Sequence, residues 1–195
     1  MPRGRPRSFD PDAALDAALD VFWRHGYAGA SLGTLTDAMG INGPSLYAAF
    51  GNKEALFRKA VDRYVERPAS YLGKALREPT ARAATERLYA GAIDMAMDGK
   101  NPDGCLLVQG ALAAAPDGAW VQDELTRRRA AAEAAVRRRY EQALTAGDLP
   151  AGVDPAALAK YVVTVLWGMA VQAAGGATRK QLETVAAMAM RVWPT

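Results

Sequence analysis

Residues 31–50 read SLGTLTDAMGINGPSLYAAF, and a glycine at position 40 divides them into two short helical patterns. Ser31 is a residue type that caps a helix start, and Leu32, Leu35 and Met39 recur at the spacing of one helical face. Gly40 supplies the left-handed conformation that ends a helix. Ile41 then points inward, and Asn42-Gly43-Pro44 opens a second helix anchored by Leu46 and Phe50. Two short helices joined by so tight a turn cross steeply, as in a helix-turn-helix. In that geometry the second helix can enter a major groove while the first crosses the phosphate backbone. A helical hairpin without any affinity for nucleic acid shares the pattern, so the neighbouring residues must decide.

Upstream, Asp10-Pro11-Asp12 combines a capping aspartate, a proline at the first helical position and an acid at the positive end of the dipole. Leu15, Leu19 and Phe22 share a face of the helix that follows, and Arg24-His25-Gly26 suits its end. Downstream, Asn52 caps a longer helix with Leu56, Phe57, Val61 and Tyr64 buried, ending near Pro68. Longer amphipathic helices are expected over about 80–98, 105–115, 118–146, 155–174 and 178–192, with breaks at the glycine- and proline-rich segments between them. The last two are unusually apolar: Leu158, Val162, Val165, Leu166 and Met169, then Leu182, Val185, Ala189 and Val192. Helices apolar on more than one side must be covered, and a second copy of the chain is the expected cover.

Composition agrees with an all-α fold. The 195 residues include 42 alanines against 25 Val, Ile and Thr combined, a balance that favours helix. A single cysteine excludes an intrachain disulfide, and a single histidine leaves little for zinc or a catalytic triad. No cofactor motif and no polar catalytic constellation is visible, so no enzyme and no cofactor are expected. The longest uncharged run, 161–178, is too polar for a bilayer span, and the N-terminus has no apolar signal core. A cytoplasmic chain without a membrane partner is expected. Net charge is only +3, yet residues 1–9 carry three arginines and no acid. The basic charge is therefore concentrated in one short arm.

The stretch INGPSLYAAFGNKEALF, residues 41–57, resembles the DNA-binding half of the tetracycline-repressor (TetR/AcrR) family of bacterial transcriptional regulators. Ser31, Gly40, Ile41, Ser45, Leu46, Tyr47, Phe50, Lys53, Glu54 and Leu56 carry the resemblance, which covers roughly residues 8–68. Gly33, Thr36, Gly43 and Ala48 depart from the family's usual pattern. The resemblance implies about nine helices: an N-terminal three-helix DNA-binding domain over 10–67, after the arm 1–9, and a ligand-binding and dimerisation domain over 68–195. It implies a homodimer paired through the two C-terminal helices, a near-palindromic double-stranded operator, and release by a small molecule, apolar or aromatic. An all-α binding module with a vestigial helix-turn-helix is the alternative, favoured by Gly33, Gly43 and Ala48.

Asn42 and Ser45 lie at the start of the second helix, where short polar side chains reach base edges or phosphate. Tyr47 can set its hydroxyl on phosphate and its ring against a thymine methyl, or be a core ring instead. Ser31 and Thr34 open helix two of the chain, whose end attracts phosphate, and Lys53 opens helix four beside the same backbone. Arg3, Arg5 and Arg7, interleaved with Gly and Pro, suit the narrow minor groove of A/T-rich DNA.

Tyr71, Tyr89, Met95, Cys105, Trp120 and Trp167 are candidates for the wall of an apolar ligand cavity, although such residues at helical spacing are also ordinary core. Cys105 at a helix start is either an activated thiol, suited to sensing an oxidant or electrophile, or an inert packed cysteine. The runs Arg127–Arg129 and Arg137–Arg139 read as a solvated or dimer-rim face, with i,i+4 pairs Glu124–Arg128 and Glu133–Arg137.

Overall fold

Helix starts follow the capping chemistry of the sequence. In a computed structural model, which describes residues 9–112 and 119–195, the side chains of Asp10, Ser31, Asn42, Asn52, Thr80, Asp154 and Thr178 each accept a backbone N–H of the helix they open. The described residues form α1 (Pro11–Gly29), α2 (Leu32–Met39), α3 (Gly43–Phe50), α4 (Lys53–Glu66), α5 (Tyr71–Ala75), α6 (Ala81–Met97), α7 (Leu106–Leu112), α8 (Ala119–Thr145), α9 (Pro155–Ala174) and α10 (Arg179–Arg191). No strand occurs among them, and the all-α expectation holds. The short α5, after a single 3-10 turn at Pro68–Ser70, joins the segments anticipated from the sequence.

The first helix runs on past its expected end at His25. Gly26 adopts φ +67° and ψ 176°, a kink rather than a left-handed cap, and one more helical turn follows. That turn brings Tyr27 back against Phe22, Phe57 and Trp120, with ring centroids 6.2, 5.3 and 4.9 Å apart. The re-entry is thus held by aromatic packing.

One core closes α1 to α4 around Leu19, Phe22, Leu35, Leu46, Leu56 and Phe57 and continues into Leu106 of α7 and Leu125 of α8. Each fully buried leucine or phenylalanine there contributes about 1.5–3 kcal/mol. A second core unites α6, α8, α9 and α10 through Leu88, Tyr140, Val163, Leu166 and Leu182.

Most of the apolar residues of the last two helices are covered by their own chain. Val162, Leu166, Met169, Leu182 and Ala189 are buried, while Leu158 and Val165 are half-buried against the same core. What stays exposed is a different stripe: Ala157, Tyr161, Gly168 and Val171 on α9, with Val185, Met188 and Val192 on and just past α10. Only part of the expected apolar set, Val185 and Val192, belongs to it. By length and composition α9 could cross a membrane (mean hydropathy 1.4), but its inner face packs on α6, α8 and α10.

Candidate nucleic-acid interface

The turn between α2 and α3 is built as its residues dictate. Gly40 takes φ +65° and ψ +31°, and its N–H bonds back to Thr36 and Asp37 carbonyls. The Ile41 N–H reaches the Thr36 carbonyl at 3.1 Å, which fixes the exit direction of the chain. Leu35 and Met39 from α2 and Leu46 and Phe50 from α3 are buried together in the first core. Buried anchors on one side leave Asn42, Pro44, Tyr47 and Ala48 facing outward on α3. Tyr47 is 50% exposed, so it is a surface ring and not a core one.

Two of the polar candidates cap helices and stay at the surface. Asn42 Oδ1 accepts the Ser45 N–H at 2.9 Å, leaving the amide donor end of the side chain outside the cap. Ser31 Oγ accepts the Thr34 N–H at 3.0 Å and shares a 2.8 Å hydrogen bond with the Thr34 hydroxyl. Ser31, Thr34 and Asn42 are exposed, and Ser45 is half-buried. Leu32 departs from its expected inward face: it is 40% exposed, beside Gly33 at the open start of α2. Lys53 lies 4.4 Å over the ring of Tyr27, and partial burial lowers its pKa. Arg3, Arg5 and Arg7 fall outside the described residues.

The candidates for a ligand wall divide into three places. Tyr71, Met95, Cys105 and Trp167 line one apolar cavity of about 50 Å³, together with Tyr64 of α4. Tyr89 instead faces an open groove between α6 and α10. Trp120 stacks edge-on against Tyr27 and Phe57 under the guanidinium of Arg58. Helical spacing could assign these rings to inner faces but not to particular neighbours. Inside the cavity the Tyr64 hydroxyl donates to Cys105 Sγ at 3.1 Å. Burial pushes the Cys105 thiol up from its ordinary pKa, against the activation that a helix start alone would give.

Sequence reasoning missed one polar centre. Glu124, 4% exposed, accepts from Arg58 at 2.9 Å, Arg127 at 2.6 Å and Arg128 at 2.8 Å. These guanidinium bonds, that of Arg127 foremost, hold its carboxyl down at about 2 despite burial. Arg128 also pairs with Asp62 of α4. The expected Glu124–Arg128 pair is therefore present within a larger cluster. The expected Glu133–Arg137 pair is not: Glu133 takes Lys160 of α9 at 2.6 Å and Arg137 takes Glu141 at 2.7 Å. Arg139 donates to the Glu78 and Pro79 carbonyls, so this arginine run anchors the segment between α5 and α6 as well as facing solvent.

Comparison with known proteins bears on both halves. Residues 14–60 match the family described as "Bacterial regulatory proteins, tetR family", and residues 84–189 match "Tetracyclin repressor-like, C-terminal domain". The chain is 34% identical to the HTH-type transcriptional repressor ComR of Escherichia coli (strain K12), over 98% of its own length and 92% of that protein's. It is 32% identical to the HTH-type transcriptional repressor BdcR of the same organism, over 95% and 90% of the two lengths. Among solved structures, a cysteine mutant of the TetR family regulator CifR, complexed with 26 bp double-strand operator DNA, superposes with a TM-score of 0.94. That alignment has 42% identity and covers 98% of this chain and all of the other.

Proposed function

The chain belongs to the tetR family of bacterial regulatory proteins and is a DNA-binding transcriptional regulator; from that premise we propose that it represses as a homodimer released by a small molecule. The observation that carries this reading is the pairing of an outward face at α3, carrying Asn42 and Tyr47, with an uncovered apolar stripe on α9 and α10. In the homodimer, Tyr161, Val171, Val185 and Met188 of each copy meet around a twofold axis. The two α3 helices then reach successive major grooves about 34–36 Å apart, which requires a near-palindromic operator. Asn42, Ser45 and Tyr47 are assigned to base edges and phosphate, and Ser31, Thr34 and Lys53 to the flanking backbone. The arm arginines are assigned to the minor groove, residues 10–67 to DNA and 68–195 to ligand and dimer. The cytoplasm, where such a target lies, is the proposed location.

Release follows from where Tyr64 stands. It belongs to α4, the helix that Lys53 opens, and its hydroxyl is part of the cavity wall. About 50 Å³ is far below the roughly 300–1,000 Å³ of typical ligand sites, so an apolar effector must push the wall apart. Displacing Tyr64 tilts α4 and changes the spacing of the two recognition helices. Couplings of this kind amount to about 1–3 kcal/mol. The test is a gel shift on the DNA upstream of the protein's own gene against scrambled duplex at matched salt. Preferential retardation of the native duplex supports the reading, and equal retardation of both contradicts it.

The Tyr64–Cys105 contact favours a second reading, in which Cys105 itself receives an apolar electrophile inside the cavity. Cys105→Ser separates the two. Release by a reversible ligand survives this substitution, and release by an alkylating agent does not.

A further inference from the structure

Behind Tyr71 the apolar cavity backs onto a polar cleft of about 360 Å³ between the end of α4, α5 and α6. Tyr71 and Met95 belong to the walls of both. Gly91 lets the Tyr71 ring rest directly on α6, since a Cβ there would meet the ring at 2.7 Å. Arg67, Lys74 and Arg87 line the cleft. Its two carboxylates are already committed. Asp94 accepts from Arg179 at 2.9 Å, and Asp98 accepts from the Lys100 and Asn101 N–H groups and the Asn101 amide. Arg67 is held by Asp16 of α1 at 2.6 Å, whereas Lys74 and Arg87 form no ion pair among the described residues.

An apolar chamber and a mouth lined by Arg67, Lys74 and Arg87, with Tyr71 and Met95 as their shared wall, suit a ligand with two unlike ends. We propose that the effector is an amphipathic carboxylate. Its apolar body enters the cavity past Tyr71, and its anionic head stays in the cleft against Lys74 and Arg87. This inference rests on the ligand-released reading and names the chemistry of the ligand. It also supplies a route to α4. The anionic head competes with Asp16 for Arg67, the residue that closes α4, and loosens the tie between α1 and α4.

Calorimetric titration of the full-length chain at low ionic strength compares octanoate with octanol, and 2-naphthoate with 2-naphthalenemethanol. The expected result is binding of each carboxylate about ten-fold tighter than its alcohol, an advantage that added salt shrinks. The double variant K74Q/R87Q is expected to remove most of the advantage, Arg67 keeping the remainder, while leaving the alcohol affinities unchanged. Both side chains are exposed, so unchanged melting is the accompanying expectation. Equal affinities for acid and alcohol, no binding by either pair, or an advantage that survives K74Q/R87Q undiminished overturns the proposal. Operator binding by the unliganded chain, measured alongside, keeps the two claims apart. Specific DNA binding without carboxylate preference sinks this inference alone, and loss of specific DNA binding sinks the regulator reading.

Discussion

Arg58 of α4 places Nη1 2.9 Å from Oε2 of Glu124 on α8, joining side chains 66 positions apart in the sequence. The same guanidinium also donates to Glu54 at 3.0 Å, one turn earlier on α4, and covers the ring of Trp120 at 4.8 Å. A buried carboxylate thus fixes the helix behind the recognition unit to the longest helix of the C-terminal half. Any motion of α4 must keep, exchange or break these bonds.

Removing the Glu124 charge is expected to be costly, because three guanidiniums lose their common partner. Glu124→Gln should lower stability by about 3 kcal/mol in denaturant titration. The pH dependence has a definite sign. The folded carboxyl titrates at about 2 against an ordinary value of 4.5, so its contribution is complete above pH 4.5 and disappears as pH falls towards 2. The stability gap between the native chain and E124Q should therefore close over that window. A gap independent of pH would contradict the assignment.

At the start of α3 the cap and the proposed DNA contact can be separated. Asn42→Ala should cost about 1 kcal/mol of stability as well as operator affinity. Asn42→Asp keeps the cap, since aspartate accepts the Ser45 N–H equally well, but brings a negative charge to the DNA. It should melt like the native protein and bind operator at least about ten-fold more weakly. Tyr47→Ala, at a half-exposed ring, should likewise spare stability and weaken binding.

Gly91 and Tyr71 make a steric pair. Gly91→Ala places a methyl within 2.7–2.9 Å of the Tyr71 side chain and should destabilise by about 1–3 kcal/mol. Tyr71→Gly in the same chain removes the clash, including the 2.8 Å approach to the Tyr71 Cβ that an alanine would keep. In a thermal melt the double variant should lose less than the two single losses added together.

The arm is tested through salt. Replacing Arg3, Arg5 and Arg7 by alanine should weaken operator binding and flatten the dependence of log affinity on log salt by about two to three units. An unchanged slope would remove the arm from the interface.

Local chemistry was legible in the sequence because its partners are three residues away. Ser31 to Thr34, Asn42 to Ser45 and Asn52 to Ala55 are all i to i+3 caps. The core of α1 to α4 was legible for a similar reason, since periodicity alone marks Leu35, Leu46, Phe57 and Tyr64. Contacts across the fold were not. Glu133 prefers Lys160 on a different helix to Arg137 on its own, and no spacing rule carries that choice. Gly26 reads locally as a helix end, yet the aromatic contacts of Tyr27 outweigh the local signal and the chain turns helical again. Trp120 and Tyr89 have the chemistry of a ligand wall but are claimed by other neighbours. Of the proposed DNA-contacting face, the caps and Tyr47 were visible in advance. The Arg58–Glu124 tie behind it depends wholly on tertiary packing.

The proposed dimer pairs through the stripe on α9 and α10. Met188→Glu, at a side chain 56% exposed in the single chain, should leave the melting of that chain nearly intact and convert the dimer to monomer in sedimentation. A dimer that persists would move the interface elsewhere.

Selection of binding sites from a random duplex pool tests the central claim most directly. Two copies presenting α3 at a fixed separation should enrich an inverted repeat whose half-sites are centred about 10 bp apart, or a multiple of that. Enrichment of an unpaired half-site, or none above the scrambled background, would contradict the account.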